Sequence, residues 1–117
     1  MSYDVEFGVK VEKVDKIMPF SKPEYDHPTY NIGTMIKKAT GWDFKQGEWY
    51  KVSDVLDKIY KGHKNLSHNP SKYRKYEPEN KWGTVETGIT ALQSILEKIE
   101  EIEKWFEITV NDFYIRW

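Results

Sequence analysis

The fold is decided by the stretch TVETGITALQSILEKIEEIEK, residues 84–104. Its apolar residues recur every three or four positions, the spacing that places them on one face of an α-helix. Thr84 is the predicted N-cap, so Glu86 falls at the second helical position, where it supports the helix dipole rather than completing a capping box. About 21 residues rising 1.5 Å each give a helix about 30 Å long. The apolar stripe consists of Val85, Ile89, Leu92, Ile95, Leu96, Ile99 and Ile102.

Both ends of the chain alternate between apolar and polar residues. Residues 3–12 show the period of two that is typical of a strand with one buried face. Residues 106–117 alternate in two runs, and the change of parity at Asn111–Asp112 predicts a bulge or a turn between two short strands or within one. Because a lone terminal strand is unstable, we expect the two chain ends to pair beneath the long helix.

The middle of the chain predicts two shorter helices. One lies within residues 30–39 and has Gly41 as its C-cap. The other has Ser53 as its N-cap and ends at Asn69–Pro70. Residues 18–28 are interrupted by prolines and are predicted to be irregular. The predicted fold is a single α+β domain over residues 1–117, with N- and C-terminal strands in a small antiparallel sheet, packed under a long C-terminal helix and two shorter helices.

Composition excludes several classes of function. The 18 basic and 19 acidic residues nearly cancel, so the chain lacks the surplus needed to bind extended nucleic acid or an anionic membrane. It has no Cys, which excludes disulfides, thiolate nucleophiles and cysteine metal sites. Residues 1–6 have neither the charged nor the apolar part of a signal peptide, so we expect a cytoplasmic protein without a membrane span. Five Trp and eight Tyr favour a stacking surface or a protein interface, including one between copies in a homo-oligomer.

The sequence supports no particular catalytic or metal chemistry. His63 and His68 are five residues apart, which does not bring two imidazoles together on one helix face. Neither a Gly-x-Ser-x-Gly turn nor a phosphate-binding glycine loop is present. We therefore predict no metal, no cofactor and no catalytic residue, and a small hydrolase remains a third alternative.

The candidate site is the segment NPSKYRKYEPENKWGT, residues 69–84. It combines aromatic rings, cations and an Asn, and it leads into the N-terminus of the long helix, where backbone amides attract anions. The basic side chains would pair with phosphate, the rings would stack, and amides after Gly83 would complete an anion pocket. Alternatively, these residues form an ordered structural lid and contact only each other.

The same residues carry a resemblance to a known family. The motifs are Tyr30-Asn-Ile-Gly-Thr-Met35, then Gly41-Trp42, Asn69-Pro70 with Tyr73, Asn80-Lys-Trp-Gly-Thr84 and the closing Tyr114-Ile-Arg-Trp117. They resemble a family of small uncharacterised proteins of bacteriophages and bacterial genomes, over residues 28–104. The chain departs from the family's pattern at Lys81, where glycine is common. The resemblance implies an accessory protein in the cytoplasm of a host cell and brings no catalytic residue with it.

In that setting the leading hypothesis is a phage-encoded protein that binds and sequesters a small nucleotide-type host immune signal without catalysis. Two helix starts would converge on the phosphorylated ligand, and the amides of Asn31 and Asn80 would read its base or ribose. The alternative is an inhibitor or adaptor that binds a host defence protein through exposed Trp42, Trp49 and Tyr50. The predicted ligand-binding residues are Tyr30, Asn31, Lys72, Tyr73, Arg74, Tyr76, Asn80, Trp82, Gly83 and Thr84.

Overall fold

The computed structural model describes residues 5–11, 16–19, 32–79 and 83–117, which form an α+β fold as predicted. A four-stranded antiparallel sheet has the strand order β2-β1-β4-β3. The elements are β1 (Glu6–Val11), β2 (Lys16–Pro19), α1 (Gly33–Thr40), β3 (Tyr50–Lys51), α2 (Val52–His68), α3 (Pro70–Tyr73), α4 (Val85–Phe106) and β4 (Tyr114–Arg116).

The predicted pairing of the N- and C-terminal strands is confirmed. β1 and β4 are antiparallel neighbours at the centre of the sheet, with Phe7 opposite Ile115. Both side chains are buried in the common core, as the alternation of residues 3–12 requires on one face. The expected irregularity of residues 18–28 is wrong for its first two residues, because Lys16–Pro19 pairs with β1 as an edge strand. An edge position tolerates Pro19, since a proline there need not donate to a second neighbour. Residues 20–28 lie outside the described part of the chain.

The long helix α4 follows the predicted stripe closely. Thr84 is its N-cap, and the stripe residues are buried except for half-buried Ile89. Its chief neighbour is α2, and glycines on both helices mark the contact. A Cβ atom at Gly62 of α2 would lie 3.1 Å from Leu92 Cδ1, and one at Gly88 of α4 would lie 3.0 Å from Leu66 Cδ1. The two helices therefore run antiparallel with their backbones close together.

Helix α1 packs across α2 at a second close contact. A Cβ atom at Gly62 would lie 2.2 Å from Thr40 Cγ2, so only glycine fits there without a shift. Asn65 Nδ2 donates to the carbonyl of Ala39 at 2.8 Å and satisfies one of the last carbonyls of α1. The predicted C-cap is confirmed, because Gly41 adopts φ 70° and its amide donates to Lys37 O at 2.9 Å.

The start of α2 corrects a prediction. Lys51 is the N-cap instead of Ser53, and no side chain caps this helix. The amides of Val52 and Ser53 instead donate to the carbonyls of Phe113 and Val110, at 3.1 and 3.0 Å. Backbone from the C-terminal segment thus satisfies the donors that a serine hydroxyl was expected to satisfy. The predicted end at Asn69–Pro70 is confirmed, since α2 stops at His68.

The C-terminal segment differs from its predicted strands. α4 continues through Phe106, and Glu107 then takes the left-handed conformation, with φ 52° and ψ 41°. The predicted turn is confirmed, because the Asp112 amide donates to Thr109 O while the Thr109 amide donates to Asp112 Oδ2, both at 2.8 Å. Only 114–116 form a strand in this segment. The residues at 106, 108 and 110 are apolar because they end a helix and then pack back on the core, which mimics a strand pattern.

Candidate functional site

The described part of the segment 69–84 is largely helical instead of forming a loop. Pro70 opens the short helix α3, a position that suits proline because the first helical amide has no partner within the helix. A 3-10 turn, Arg74–Tyr76, follows at once. The prediction that this segment is a loop is therefore wrong for residues 70–76.

Two aromatic rings of this segment pack in or against the hydrophobic core. Tyr73 is 4% exposed and belongs to the hydrophobic core, so its face is covered by the protein itself. Tyr76 is half-buried and its ring centroid lies 6.4 Å from that of Tyr73. The ammonium groups of Lys72 and Lys75 lie 5.7 and 5.2 Å from the ring centroids of Tyr73 and Tyr76. In the part of the chain that the structure describes, neither ammonium forms an ion pair with a carboxylate.

Arg74 is paired within the protein. Its Nη1 donates to Glu77 Oε2 and to Glu86 Oε2, each at 3.0 Å, and its Nη2 donates to Glu86 Oε1 at 2.7 Å. The hydrogen bonds from Arg74 lower the pKa of Glu86 to about 2, and those two carboxylates raise the pKa of Arg74 above its ordinary value. A phosphate that bound this guanidinium would have to displace one of the two carboxylates.

The N-terminus of α4 also has internal partners. The Thr87 amide donates to Thr84 Oγ1 at 3.2 Å, and the Thr84 amide donates to Thr87 Oγ1 at 3.1 Å. These bonds form a capping box, which corrects the expectation that no box forms: a threonine hydroxyl takes the place of the usual Glu or Gln. Glu77 Oε2 accepts from the Val85 amide at 2.9 Å, so a carboxylate of the chain already lies at the positive end of the helix.

The structure therefore brings six predicted ligand-binding residues into one region. Among them, Arg74 donates hydrogen bonds to Glu77 and Glu86, and Thr84 forms hydrogen bonds with Thr87. Gly83 is buried and has φ 138°, a conformation that other residues rarely adopt. Four other predicted ligand-binding residues lie outside the described part of the chain, so their contribution stays a prediction. These four are Tyr30, Asn31, Asn80 and Trp82; the six are Lys72, Tyr73, Arg74, Tyr76, Gly83 and Thr84.

The aromatic anchors expected for a protein partner are largely covered. Trp42 is 2% exposed and lies in a ring cluster, with centroids 5.3 Å from Phe44 and Tyr50 and 6.2 Å from Trp117. The expectation that Trp42 is exposed is therefore wrong. Tyr50 and Trp49 are half-buried. These rings pack together in the core next to the sheet. That packing explains why four of the residues 42–50 are aromatic.

Besides Tyr60 on α2, two adjacent aromatic residues are exposed, and sequence reasoning missed this pair. Trp105 and Phe106, at the end of α4, are 63% and 56% exposed. Phe106 stands four residues after Ile102 and seven after Ile99, so it continues the apolar stripe by one turn. The two isoleucines are buried, whereas Phe106 is mostly exposed. The sequence contained a signal for Phe106, because the helical period of 3.6 residues in the apolar stripe of α4 continues past residue 104.

The conformation of Glu107 fixes this exposed end. A left-handed residue other than glycine is uncommon and costs about 1–2 kcal/mol. It turns the chain immediately after Phe106, and half-buried Ile108 and Val110 then pack against the core. The exposed aromatic pair is thus held at a defined helix end, and strained residues of this kind cluster at functional sites.

The charges around the aromatic pair are mainly negative. Glu101, Glu103 and Glu107 stand within one turn of it, and Lys104 is the exposed cation among them. Lys98 is only 9% exposed, since its ammonium lies 5.2 Å from the Trp105 ring centroid and 3.9 Å from Glu101 Oε2. We call Trp105 and Phe106 with these three glutamates the acidic aromatic end.

An open hollow of about 290 Å³ lies beside the C-terminal end of α1. It is lined by Thr34, Lys37, Lys38, Gly41 and Asp43. It faces the carboxyl end of a helix, which carries partial negative charge and attracts cations. Lys37 Nζ is accordingly held by Asp43 at 3.7 Å and by the Phe44 ring at 4.9 Å. Lys37, one of the two lysines that line the hollow, is therefore already paired within the protein.

Within the described ranges no three His, Asp or Glu side chains are grouped so that they could hold a metal ion. Among those residues, too, no helix combines the length and the apolar character that crossing a bilayer requires. Comparison of the chain with protein-family models, with curated proteins and with solved structures finds no match.

Proposed function

We propose that this protein is a non-catalytic binding protein that docks on a partner protein through Trp105 and Phe106. One observation carries the proposal: the last turn of α4 ends in two adjacent large rings that are 63% and 56% exposed. A few residues carry most of the binding energy of a protein interface, and aromatic residues are enriched at interfaces because each buries a large apolar area. If the chain is a phage accessory protein, as the resemblance implies, the partner is a host protein.

The test compares three baits in an extract of the host cell. The first is the unaltered protein, the second carries Trp105→Ser and Phe106→Ser, and the third carries Tyr60→Ser. Tyr60 is 48% exposed on α2 and provides a matched loss of one exposed ring elsewhere. A partner should be retained by the first and third baits and lost from the second. The binding must then be reproduced with the purified partner by calorimetry, with melting curves to verify that every bait is folded.

Retention of the same proteins by all three baits would exclude docking through this helix end. Equal weakening by the serine pair and by Tyr60→Ser would show only that exposed rings bind extracts nonspecifically.

A second candidate function is the sequestration of a small nucleotide-type anion at the segment 69–84. It is favoured by Lys72 and Lys75, whose ammonium groups lie over tyrosine rings and lack carboxylate partners among the described residues. The test is a melting-temperature shift with a panel of cyclic and linear nucleotides, followed by recovery of the ligand. A ligand at 100 times its dissociation constant adds about 2.7 kcal/mol to the free energy of unfolding. Intact ligand indicates sequestration, and converted ligand indicates an enzyme.

The matched control for that test replaces two lysines on the exposed face of α2. Lys72→Ala with Lys75→Ala should abolish the shift, whereas Lys58→Ala with Lys64→Ala should leave it unchanged. The absence of a shift with every nucleotide would remove this candidate.

A further inference from the structure

We propose that the surface recognised by the acidic aromatic end is an apolar groove bordered by Lys and Arg side chains on the partner protein. This inference rests on the proposed docking function and specifies the chemistry of its partner. The structure contributes two separate observations, the exposed aromatic pair and the charges that surround it.

On the described end of α4 three carboxylates, Glu101, Glu103 and Glu107, stand against two cations, Lys98 and Lys104. Lys98 is 9% exposed, and its ammonium lies 5.2 Å from the Trp105 ring centroid and 3.9 Å from Glu101 Oε2. With that pair set aside, exposed Lys104 stands against Glu103 and Glu107. A partner that covers the rings must also approach these carboxylates, so a neutral or acidic border on its groove would leave them desolvated without compensation.

The same charges argue against other occupants. A second copy docked symmetrically would place the glutamates of one end against those of the other, and like charges in contact oppose association. Membranes with anionic lipids and nucleic acids both present negative surfaces, which repel this end. A protein groove with a basic border is the occupant that satisfies both the rings and the carboxylates.

The probes are two fluorescein-labelled helical peptides with the same leucine face, one flanked by lysines and the other by glutamates. Anisotropy should show that the lysine-flanked peptide binds the protein at least about ten-fold more tightly, equivalent to about 1.4 kcal/mol. The difference should shrink as salt concentration rises. Replacement of Trp105 and Phe106 by Ser should weaken binding of the lysine-flanked peptide by at least about ten-fold.

The charge requirement is isolated by two variants with equal changes of net charge. Glu103→Lys with Glu107→Lys should abolish the preference for the lysine-flanked peptide. Glu48→Lys with Glu79→Lys changes two exposed residues on other elements and should preserve it. If both pairs of substitutions act equally, the peptide responds to net charge alone and the proposal is overturned.

Three further results would overturn the inference. They are equal binding of both peptides, binding to phosphatidylcholine vesicles that depends on Trp105 and Phe106, and self-association that the serine pair abolishes in sedimentation velocity. A partner found by the extract experiment that depends on the rings but tolerates Glu103→Lys with Glu107→Lys would leave the docking function intact and refute only the basic groove.

Discussion

Glu6 and Arg116 face each other across β1 and β4, and the carboxylate of one accepts two hydrogen bonds from the guanidinium of the other. Arg116 Nε and Nη2 both donate to Glu6 Oε2, at 3.0 and 2.5 Å. The guanidinium carbon also lies 4.3 Å from the centroid of the Trp49 ring. One arginine thus connects both strands of the central pair with the loop before β3.

We predict that Arg116→Met destabilises the protein more than Glu6→Gln does. The methionine variant loses the cross-strand pair and the contact between cation and ring, a total of about 1–2 kcal/mol. The glutamine variant keeps the ring contact and should lose about 0.5–1 kcal/mol. Urea unfolding of both variants and of the double variant measures these losses and their coupling. Fully additive losses would show that the pair contributes nothing.

Gly62→Ala should destabilise the protein by about 1–3 kcal/mol, because the added methyl group overpacks the contact between α1 and α2. It would lie 2.2 Å from Thr40 Cγ2 and 3.2 Å from the backbone Cα of the same residue. Gly88→Ala is the matched control, since its nearest neighbour at 3.0 Å is the end of the flexible Leu66 side chain. Both glycines are helical and gain the same helix propensity on substitution, so the difference between the two melting temperatures reports how much more tightly Gly62 is packed than Gly88. Equal effects at the two sites would contradict the close crossing.

Stability should depend on pH through Glu86. Its pKa falls from 4.5 to about 2 on folding, so its contribution is complete above pH 4.5 and is lost as the pH falls towards 2. The side chain is 62% exposed, and solvent screening therefore makes this contribution much smaller than the shift alone suggests. The measurement is the difference in unfolding free energy between the unaltered protein and Glu86→Gln from pH 7 to pH 2. The difference should shrink below pH 4.5; a constant difference would mean that the ion pair with Arg74 does not form.

Glu107→Gly should stabilise the protein by about 0.5–1 kcal/mol, because glycine adopts φ 52° without strain but loses more freedom on folding. Glu107→Ala keeps the strain and is the control, for which no gain is expected. Thermal unfolding distinguishes the two. A gain of equal size for alanine would mean that removal of the charge, and not relief of the backbone, is responsible.

The elements that the sequence predicted well are those determined by local chemistry. The stripe of α4, the cap at Thr84 and the left-handed Gly41 all depend on residues within one or two turns. The misassigned features depend on distant partners: Ser53 is not a cap because Val110 and Phe113 supply carbonyls, and Lys16–Pro19 becomes a strand because β1 is beside it.

The candidate site shows the same contrast between features determined by local residues and features determined by distant partners. The composition of residues 69–84 indicated a dense polar cluster, but Glu86 was expected only to support the helix dipole, and Glu77 and Glu86 prove to be the partners of Arg74. Whether Arg74 binds a ligand or the protein's own carboxylates depends on Glu86, which is twelve residues away in the sequence but adjacent to Arg74 in the fold. The pair Arg74–Glu77 has the local spacing of three residues, whereas no local spacing rule could have predicted the pair Arg74–Glu86.

The ring cluster around Trp42 has a consequence for spectroscopy. Phe44 and Trp117 stack at 4.8 Å, and no acceptor for Trp42 Nε1 lies among the described residues. An indole in such dry surroundings emits at short wavelength, whereas the exposed indole of Trp105 emits at long wavelength. Quenching by iodide should therefore affect the red edge of the emission and spare the blue edge. Docking at the end of α4 would change the red emission, and unfolding of the core would change the blue, so the two processes can be followed separately in one unlabelled sample.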